Sequence, residues 1–193
     1  MIIKRCEWAT NNKLMEEYHD KEWGVSVHDD RKLFEFLILE GAQAGLAWLT
    51  VLQKRENYRK AFGNFNAEKL AEYNNKKIEE LQSNEGIIRN RLKIKSAVQN
   101  AKAFLKVQEE FGSFDKYIWQ FVDYATITNS WKSLKQIPSK TAESDAMSKD
   151  LKKRGFNFVG STICYAFMQA TGMVNDHIAD CFRYKKVKSK CQN

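Results

Sequence analysis

Apolar residues recur at three and four positions along most of this sequence, and that spacing restricts the fold more than any other feature. Residues 33–38 and 94–105 show the pattern, which is typical of helices. The chain holds one proline and nine glycines, too few turn-forming residues for a β-sandwich or a barrel. It has no GxGxxG or GxxxxGK(S/T) motif and no strand-like alternation, which disfavours folds that bind nucleotide cofactors. We therefore predict an all-α fold without an organic cofactor.

Polar residues that commonly cap helices stand where several of these apolar patterns begin. Asn66 precedes AEKLAEY, and Ser113 precedes FDKYIWQF. Ser144 precedes DAMSKDLKKRG, which predicts a helix that ends at Gly155. Residues 125–140 contain the proline, and we expect the longest irregular connection of the chain there.

The chain has no linker rich in glycine, serine or proline, so we expect one globular helical unit over residues 1–185. The tail 186–193 is rich in lysines that have no apolar partners, and we expect it to be disordered. The most apolar stretch, 33–52, includes Glu35 and Glu40, which indicate a buried helix pair or a broken helix rather than a membrane span. The N-terminus lacks the apolar core of a signal peptide. We expect a cytoplasmic protein with no membrane partner.

Charge and cysteine content restrict the partners and the compartment. The chain carries 32 Lys and Arg against 24 Asp and Glu, a formal net charge of +8, which favours polyanionic partners. Nucleic acid is the commonest such partner, although many basic proteins bind none. The four cysteines stand at positions 6, 164, 181 and 191, form no CxxC pair and are too few for a disulfide-rich scaffold. A reducing, intracellular setting fits them better.

The segment 151–162, LKKRGFNFVGST, joins a lysine-rich helix end to a new apolar helix through a short turn. Gly155 and Gly160 bracket this turn, and glycine lets backbone N–H groups approach an anion without a Cβ in the way. This is the form of a helix-hairpin-helix that grips a DNA phosphate. The alternative is an ordinary helix-helix connection with a glycine C-cap. The basic residues beside the turn are Lys152, Lys153 and Arg154.

Glu40 is a carboxylate inside an apolar stretch, LILEGAQAGLAW. Burying an unpaired charge costs much free energy. Glu40 must therefore be paired, line a pocket or, as a helix-end residue, face solvent. Aromatic residues in the same part of the sequence could supply the walls of a pocket for a flat, nitrogen-rich base, or could simply pack the core. These aromatic residues are Trp8, Tyr18, Trp23 and Trp48.

Two pairs of soft-metal ligands stand at opposite ends of the chain. His177 and Cys181 are four positions apart, so on a helix they face the same way and could bind one ion. Cys6 and His19 could complete a tetrahedral set, which leaves no open position for water and so indicates a structural zinc. The alternative is that all four are simply buried. His28 has no partner in the sequence, and we expect it at the surface.

Long blocks of the sequence resemble the family of 3-methyladenine DNA glycosylase I, constitutive bacterial enzymes of base-excision repair. The matching blocks cover nearly the whole chain and are more specific than any single motif. They are RCEWA at 5–9, EYHDKEWGV at 17–25, LFEFLILEGAQAGLAWLTVLQKRENYRKAF at 33–62, GIIRNRLKI at 86–94 and SDAMSKDLKKRGFNFVGSTICYAFMQATGMVNDH at 144–177.

The resemblance implies the all-α fold of helix-hairpin-helix DNA glycosylases, with the helix-hairpin-helix near residues 144–171. It also implies a structural zinc that ties the N- and C-terminal segments together, held by Cys6, His19, His177 and Cys181. The implied enzyme is a monofunctional DNA glycosylase of the bacterial cytosol and nucleoid. It hydrolyses the N-glycosidic bond of a flipped-out base in double-stranded alkylated DNA and releases free 3-methyladenine. We expect it to act as a monomer.

Carried over by position, the resemblance makes Glu40 the catalytic carboxylate that recognises the extruded base. It makes Trp8 and Trp48 the stacking partners of that base, and Tyr18 a further contact. Contacts to the DNA backbone would come from the hairpin and the basic residues beside it. These residues are Lys152, Lys153, Arg154, Gly155 and Gly160.

Two positions depart from the family pattern. Met15 stands where the family commonly has a tyrosine, and Ala166 stands where the block usually reads CYSF. Neither removes the proposed carboxylate, but both could alter the affinity for the base. They leave open an alternative function, a catalytically inactive helix-hairpin-helix DNA-binding module. They also leave open a glycosylase for another alkylated base, such as 3-methylguanine.

Overall fold

The computed structural model of the protein describes residues 3–190, which form ten α-helices, four short 3-10 helices and one pair of two-residue strands. The predicted all-α class is therefore confirmed. The α-helices are α1 Lys13–Lys21, α2 Asp30–Gln43, α3 Trp48–Ala61, α4 Ala67–Ala71, α5 Asn75–Gln82, α6 Arg91–Phe111, α7 Phe114–Trp119, α8 Ala142–Lys153, α9 Ser161–Ala170 and α10 Phe182–Lys190. The 3-10 helices are Glu7–Ala9, Gly63–Phe65, Gln120–Val122 and Leu134–Gln136, and the strands are β1 Ile127–Thr128 and β2 Val174–Asn175.

Helix α2 lies at the centre of the core. Every residue from Leu33 to Ala42 is buried, and α2 packs against α3, α6, α7 and α9. A helix that is apolar on all sides must be covered on all sides, because no face of it gains from contact with water. The stretch 33–52 is thus a helix pair, as the acidic residues within it predicted. Within residues 3–190, no helix combines the length and the apolar character that a membrane crossing requires.

Two of the three predicted helix caps are confirmed. The side chains of Asn66 and Ser113 accept hydrogen bonds from the first turns of α4 and α7. The cap predicted at Ser144 is wrong: the N-cap of α8 is Thr141. Ser144 lies in the first turn, where its hydroxyl accepts a 2.8 Å hydrogen bond from the Thr141 N–H while the Thr141 hydroxyl accepts one from the Ser144 N–H. Serine serves the third helical position of a capping box as well as the cap itself, so the sequence alone did not separate the two.

The two ends of the chain pack together, as predicted. The N–H of Phe182 donates to the carbonyl of Lys4 over 2.9 Å, and the N–H of Gly24 donates to the carbonyl of Gln169 over 3.1 Å. The parallel pairing of β1 with β2 joins the irregular connection before α8 to the segment after α9. These contacts bring residues near both termini to one side of α2 and α9.

The boundary expected between the globular unit and a disordered tail differs from the structure. Helix α10 runs to Lys190, and Val187 within it is buried. The expected start of the tail at residue 186 is therefore wrong, because Val187 gives this basic segment an apolar side chain to bury. Residues 191–193, including Cys191, lie outside the described residues.

Candidate functional site

The two predicted cysteines and two predicted histidines form one buried cluster. The potential ligand atoms of Cys6, His19, His177 and Cys181 all lie within 4.8 Å of one another. The Sγ of Cys181 lies 3.5 Å from Nε2 of His19, and the sulfurs of both cysteines lie 3.7 Å from Nδ1 of His177. In a tetrahedral zinc site, bonds of about 2.3 Å to sulfur and about 2.0 Å to nitrogen separate these atoms by about 3.6 Å. The cluster could hold a metal ion.

The histidine nitrogens that face away from the cluster have partners that orient both rings. Nδ1 of His19 lies 2.8 Å from a carboxylate oxygen of Asp20, and Nε2 of His177 lies 3.1 Å from the carbonyl oxygen of Trp23. A carbonyl only accepts, so Nε2 of His177 carries the proton and Nδ1 offers its lone pair to the cluster. Carboxylate and carbonyl partners of this kind are typical of metal-bound histidine. The donor set and its surroundings therefore fit a bound cation.

A cavity of about 400 Å³ lies beside this cluster, between the N-terminal segment, α1, α2, α3, α9 and the 3-10 helix Leu134–Gln136. It brings together every residue that the resemblance predicted to contact the base. Met15 and Ala166, which depart from the family pattern, also line it. Cavities of this size commonly bind small organic ligands. The lining residues are Trp8, Met15, Tyr18, Trp23, Glu40, Gln43, Trp48, Leu134, Ile137, Ala166 and Gln169.

Glu40 is the buried carboxylate of this cavity. Its side chain is 4% exposed, and burial raises its pKa from the ordinary value of 4.5 to about 8. Among the residues that the structure describes, none donates a hydrogen bond to it. Glu35 on the same helix is also buried, but it is paired with Arg55 at 2.5 Å and with Arg59 at 2.7 Å. Of these two carboxylates, therefore, Glu40 is the one placed to receive a ligand.

Aromatic rings form the walls around Glu40. The ring centroids of Tyr18 and Trp48 are 5.4 Å apart, and those of Trp8 and Tyr18 are 6.3 Å apart. Burial, together with the charge of Glu40, raises the pKa of Tyr18 well above 10, so its hydroxyl stays protonated. The indole nitrogen of Trp48 is buried without a hydrogen-bond partner within the described part of the chain. The rings thus contribute to the core and also present polar and stacking surfaces to the cavity.

Four lining residues were missed by the sequence analysis. Gln43 follows Glu40 by three positions and Gln169 follows Ala166 by three, a spacing that places each pair on one face of a helix. This three-residue spacing is visible in the sequence and could have indicated both glutamines. Leu134 and Ile137 come from the irregular connection before α8, where no periodicity indicates which side chains turn inward.

The short turn predicted between α8 and α9 is present, and its geometry fits both a hairpin and an ordinary connection with a glycine C-cap. Gly155 has φ +90°, in the left-handed region that favours glycine, and Gly160 is the N-cap of α9 with open space at its Cβ position. No side chain caps the N-terminus of α9. Lys152 and Lys153 are exposed beside the hairpin. Helix α9 thus begins at the hairpin and also carries the cavity residues Ala166 and Gln169.

Arg154 differs from the other predicted DNA-contacting residues. Its guanidinium lies 2.7 Å from carboxylate oxygens of Asp150 and Glu110, and its Cζ lies 4.8 and 4.9 Å from the ring centroids of Phe111 and Tyr117. Two carboxylates already balance its charge, so it does not extend freely from the hairpin toward a phosphate. These contacts attach the end of α8 to α6 and α7, and a contact of Arg154 with the DNA backbone stays a prediction.

His28 lies at the surface, as expected, and Cys164 lies in the core. His28 is exposed, with its ring beside Trp119 and its Nδ1 2.8 Å from a carboxylate oxygen of Asp115. Cys164 is buried in the core on α9. Neither residue lines the cavity or belongs to the Cys/His cluster.

Comparison with known proteins agrees with this geometry. The family model described as methyladenine glycosylase matches residues 8–184. The chain is 48% identical to DNA-3-methyladenine glycosylase 1 of Escherichia coli (strain K12), over 94% of this chain and 97% of that protein. It is similar to a crystal structure of 3-methyladenine DNA glycosylase I, with a TM-score of 0.90, 51% identity and coverage of 93% of this chain and 98% of that one.

A second similar structure concerns 3-methyladenine recognition by 3-methyladenine DNA glycosylase I from Staphylococcus aureus. It has a TM-score of 0.91 and 33% identity, and the match covers 93% of this chain and 96% of that one. The family model spans every residue that lines the cavity, and it spans His19, His177 and Cys181 of the Cys/His cluster. The chain therefore belongs to the methyladenine glycosylase family.

Proposed function

We propose that this protein is a monofunctional DNA glycosylase that excises 3-methyladenine from alkylated double-stranded DNA. The observation that carries the proposal is the unpaired, buried carboxylate of Glu40 in a cavity walled by Trp8, Tyr18 and Trp48. Membership of the methyladenine glycosylase family, and the similar Staphylococcus aureus structure concerned with 3-methyladenine recognition, support the choice of base. The reaction hydrolyses the N-glycosidic bond of a flipped-out base and releases free 3-methyladenine.

The positive charge of the substrate explains why a single carboxylate is enough to catalyse release of the base. Methylation at N3 makes the adenine cationic while it is still attached to deoxyribose, so the departing base is neutral and the bond is already weak. Without a bound base, the raised pKa of about 8 favours the neutral form of Glu40 at neutral pH. A cationic base shifts Glu40 toward the carboxylate, which then accepts a hydrogen bond from the exocyclic amino group. Unmodified adenine brings no charge and leaves as a poor anion, so it is rejected.

Water, rather than an enzyme amine, is the nucleophile in this proposal. A lyase-type glycosylase needs a lysine that can form a Schiff base with the sugar. None of the residues lining the cavity is a lysine, and helix α9 contains none. Glu40 and the aromatic walls therefore bind and orient the base, and the sugar is left with a hydroxyl group.

The metal in this proposal is zinc, held by Cys6, His19, His177 and Cys181. Two thiolates and two imidazoles are a preferred zinc set, and four protein ligands leave no position for a catalytic water. The ion would supply structure rather than chemistry. Cys6 and His19 belong to the N-terminal segment and α1, whereas His177 and Cys181 follow β2, so the ion would tie the two ends of the chain.

Chromatography of the bases released from methylated duplex DNA tests the proposed function. The purified protein should release 3-methyladenine and leave an abasic site without cutting the strand. Zinc-loaded, folded protein that binds the duplex but releases no base would contradict the proposal and favour the inactive DNA-binding module.

The exposed lysines of the hairpin supply a separate prediction about DNA binding. Replacing Lys152 and Lys153 by alanine should lower affinity for duplex DNA uniformly across sequences, because lysines beside the hairpin contact phosphates rather than bases. Loss of two phosphate contacts should reduce the slope of log affinity against log salt by about 1.8. Fluorescence anisotropy at several salt concentrations measures this slope. The matched control is Lys60→Ala with Lys69→Ala, two exposed lysines outside the hairpin; an equal change in this control would contradict the assignment.

Burial of Glu40 predicts how stability depends on pH. Because folding raises its pKa from 4.5 to about 8, its contribution to stability is fully present below pH 4.5 and is lost as pH rises through 8. Glu40→Gln does not titrate, so the variant should become the more stable protein by roughly 3 to 5 kcal/mol at pH 9, with little difference near pH 4. Urea unfolding of both proteins at the two pH values measures this difference. If the stability of the two proteins changed with pH in the same way, burial would not raise the pKa of Glu40, and the prediction would be wrong.

A further inference from the structure

A third buried carboxylate, Asp176, is next in sequence to His177 of the Cys/His cluster and is hydrogen-bonded to Gln169 of the cavity. It follows β2 and is 1% exposed. Its two oxygens accept four hydrogen bonds, from side chains of the irregular connection before α8 and of α9. The donors are Asn129 Nδ2 at 2.7 Å, Trp131 Nε1 at 2.7 Å, the Tyr165 hydroxyl at 2.6 Å and Gln169 Nε2 at 2.8 Å.

This arrangement fixes the orientation of the Gln169 amide. Asn129, Trp131 and Tyr165 donate to the two carboxylate oxygens of Asp176, which therefore serve as acceptors. Gln169 must therefore present its NH₂ group to Asp176, which leaves the amide oxygen, Oε1, as its remaining polar atom. Within residues 3–190, no group is recorded as donating a hydrogen bond to this oxygen. Gln169 lines the cavity, and the hydrogen bond of its NH₂ group to Asp176 leaves Oε1 as the amide atom that a ligand there could contact.

The cavity thus offers acceptors from two helices, the Glu40 carboxylate on α2 and the Gln169 amide oxygen on α9. The exocyclic amino group of an adenine carries two hydrogens, one for each acceptor. Resting on the proposed function, we infer that Gln169 accepts the second of these hydrogens and so selects bases with an amino group at position 6.

A base with a keto oxygen at position 6 would have no hydrogen there to donate to the two acceptors. Its oxygen would face the Gln169 oxygen, and two acceptors would be desolvated together without a proton between them. Rotating the amide cannot relieve this contact, because rotation would turn the Gln169 oxygen toward Asp176. 3-Methylguanine carries such a keto group, so Gln169 would disfavour it as a substrate. Asp176 acts as a positioning residue in this inference, since it fixes the amide without touching the base.

Titration calorimetry of the full-length protein with two free bases tests the inference. 3-Methyladenine and 3-methylhypoxanthine differ at position 6, where one carries an amino group and the other a keto oxygen. The wild-type protein should prefer 3-methyladenine, and Gln169→Met should reduce the ratio of the two affinities about tenfold. A variant that loses affinity for both bases equally, or that keeps the wild-type ratio, would overturn the inference.

A matched control separates selection of the base from loss of a structural hydrogen bond. Gln108 also donates its amide to a carboxylate, that of Asp30, over 2.6 Å, but it does not line this cavity. Gln108→Met should leave the affinity ratio at the wild-type value; a changed ratio would count against the inference. If thermal unfolding shows that Gln169→Met does not fold, Gln169→Ala takes its place with the same expected ratio.

Base release and base binding, measured on the same purified protein, distinguish this inference from the proposed function. Release of 3-methyladenine from methylated DNA by the wild-type protein, with an unchanged affinity ratio in the Gln169 variant, overturns only the role of Gln169. Failure of the wild-type protein both to release and to bind 3-methyladenine overturns the two together.

Discussion

Replacing Glu40 by glutamine is expected to lower the release of 3-methyladenine about a hundredfold or more, while affinity for undamaged duplex DNA stays nearly unchanged. The carboxylate is 4% exposed, and no described residue is recorded as bonded to it, so its interaction energy is available to the base. Glutamine keeps the size of the side chain but removes the charge that a cationic adenine would stabilise. Single-turnover release from methylated DNA, measured by chromatography, gives the change in rate.

The stability of the same variant shows whether a loss of release reflects unfolding. Because Glu40→Gln removes a costly buried acid, we expect it to unfold at a higher denaturant concentration than the wild-type protein at neutral pH and above. A variant that is more stable, binds duplex DNA and fails to release the base would place the defect in the chemistry. Release at the wild-type rate would remove Glu40 from the proposed mechanism.

The helical fold could be predicted from the sequence because its signal is local. Apolar spacing of three and four residues, with few turn-forming residues, indicates helices wherever it occurs. Boundaries were less certain where two residues could serve the same purpose, as at Thr141 and Ser144, which share a capping box. The extent of α10 was missed because one apolar residue, Val187, anchors an otherwise basic segment.

The site was predictable only in part. Glu40 could be singled out because a carboxylate in an apolar helix must have a compensating environment, but the sequence alone did not decide between a partner and a cavity. The positions of Leu134 and Ile137 depend on how an irregular connection folds over α9, which no local pattern specifies. Arg154 was assigned to the phosphate contacts by its charge and its position beside the hairpin, and the sequence could not show that Glu110, distant in the chain, pairs with its guanidinium.

The Cys/His cluster and the cavity share aromatic residues, so the proposed zinc would also hold the walls of the pocket. The ring of Trp23 meets that of His177 edge-on, with centroids 4.6 Å apart, and the ring of Trp8 meets that of His19 at 5.3 Å. Trp8 and Trp23 both line the cavity. Loss of the metal should therefore lower the affinity for the base as well as the stability of the fold.

Removing the proposed metal is expected to produce the largest loss of stability. Freshly purified protein should contain one zinc per chain, and Cys181→Ala should contain none. The variant leaves three buried ligands without a common partner and releases the link between the two ends of the chain, so we expect it to lose about 5 kcal/mol of stability. For a chain of this size that corresponds to a fall in Tm of roughly 10–20 °C, which scanning calorimetry measures.

Cys164→Ala is the matched control for this prediction. Cys164 is also buried, but its thiol donates to the carbonyl of Val159 and lies outside the cluster. The control should keep its zinc and lose only the stability expected for a small core cavity, about 1–2 kcal/mol. A strong chelator should lower the Tm of the wild-type protein and of Cys164→Ala by the same amount, and should leave that of Cys181→Ala unchanged. Wild-type protein without bound metal, or equal losses in the two alanine variants, would refute the structural zinc.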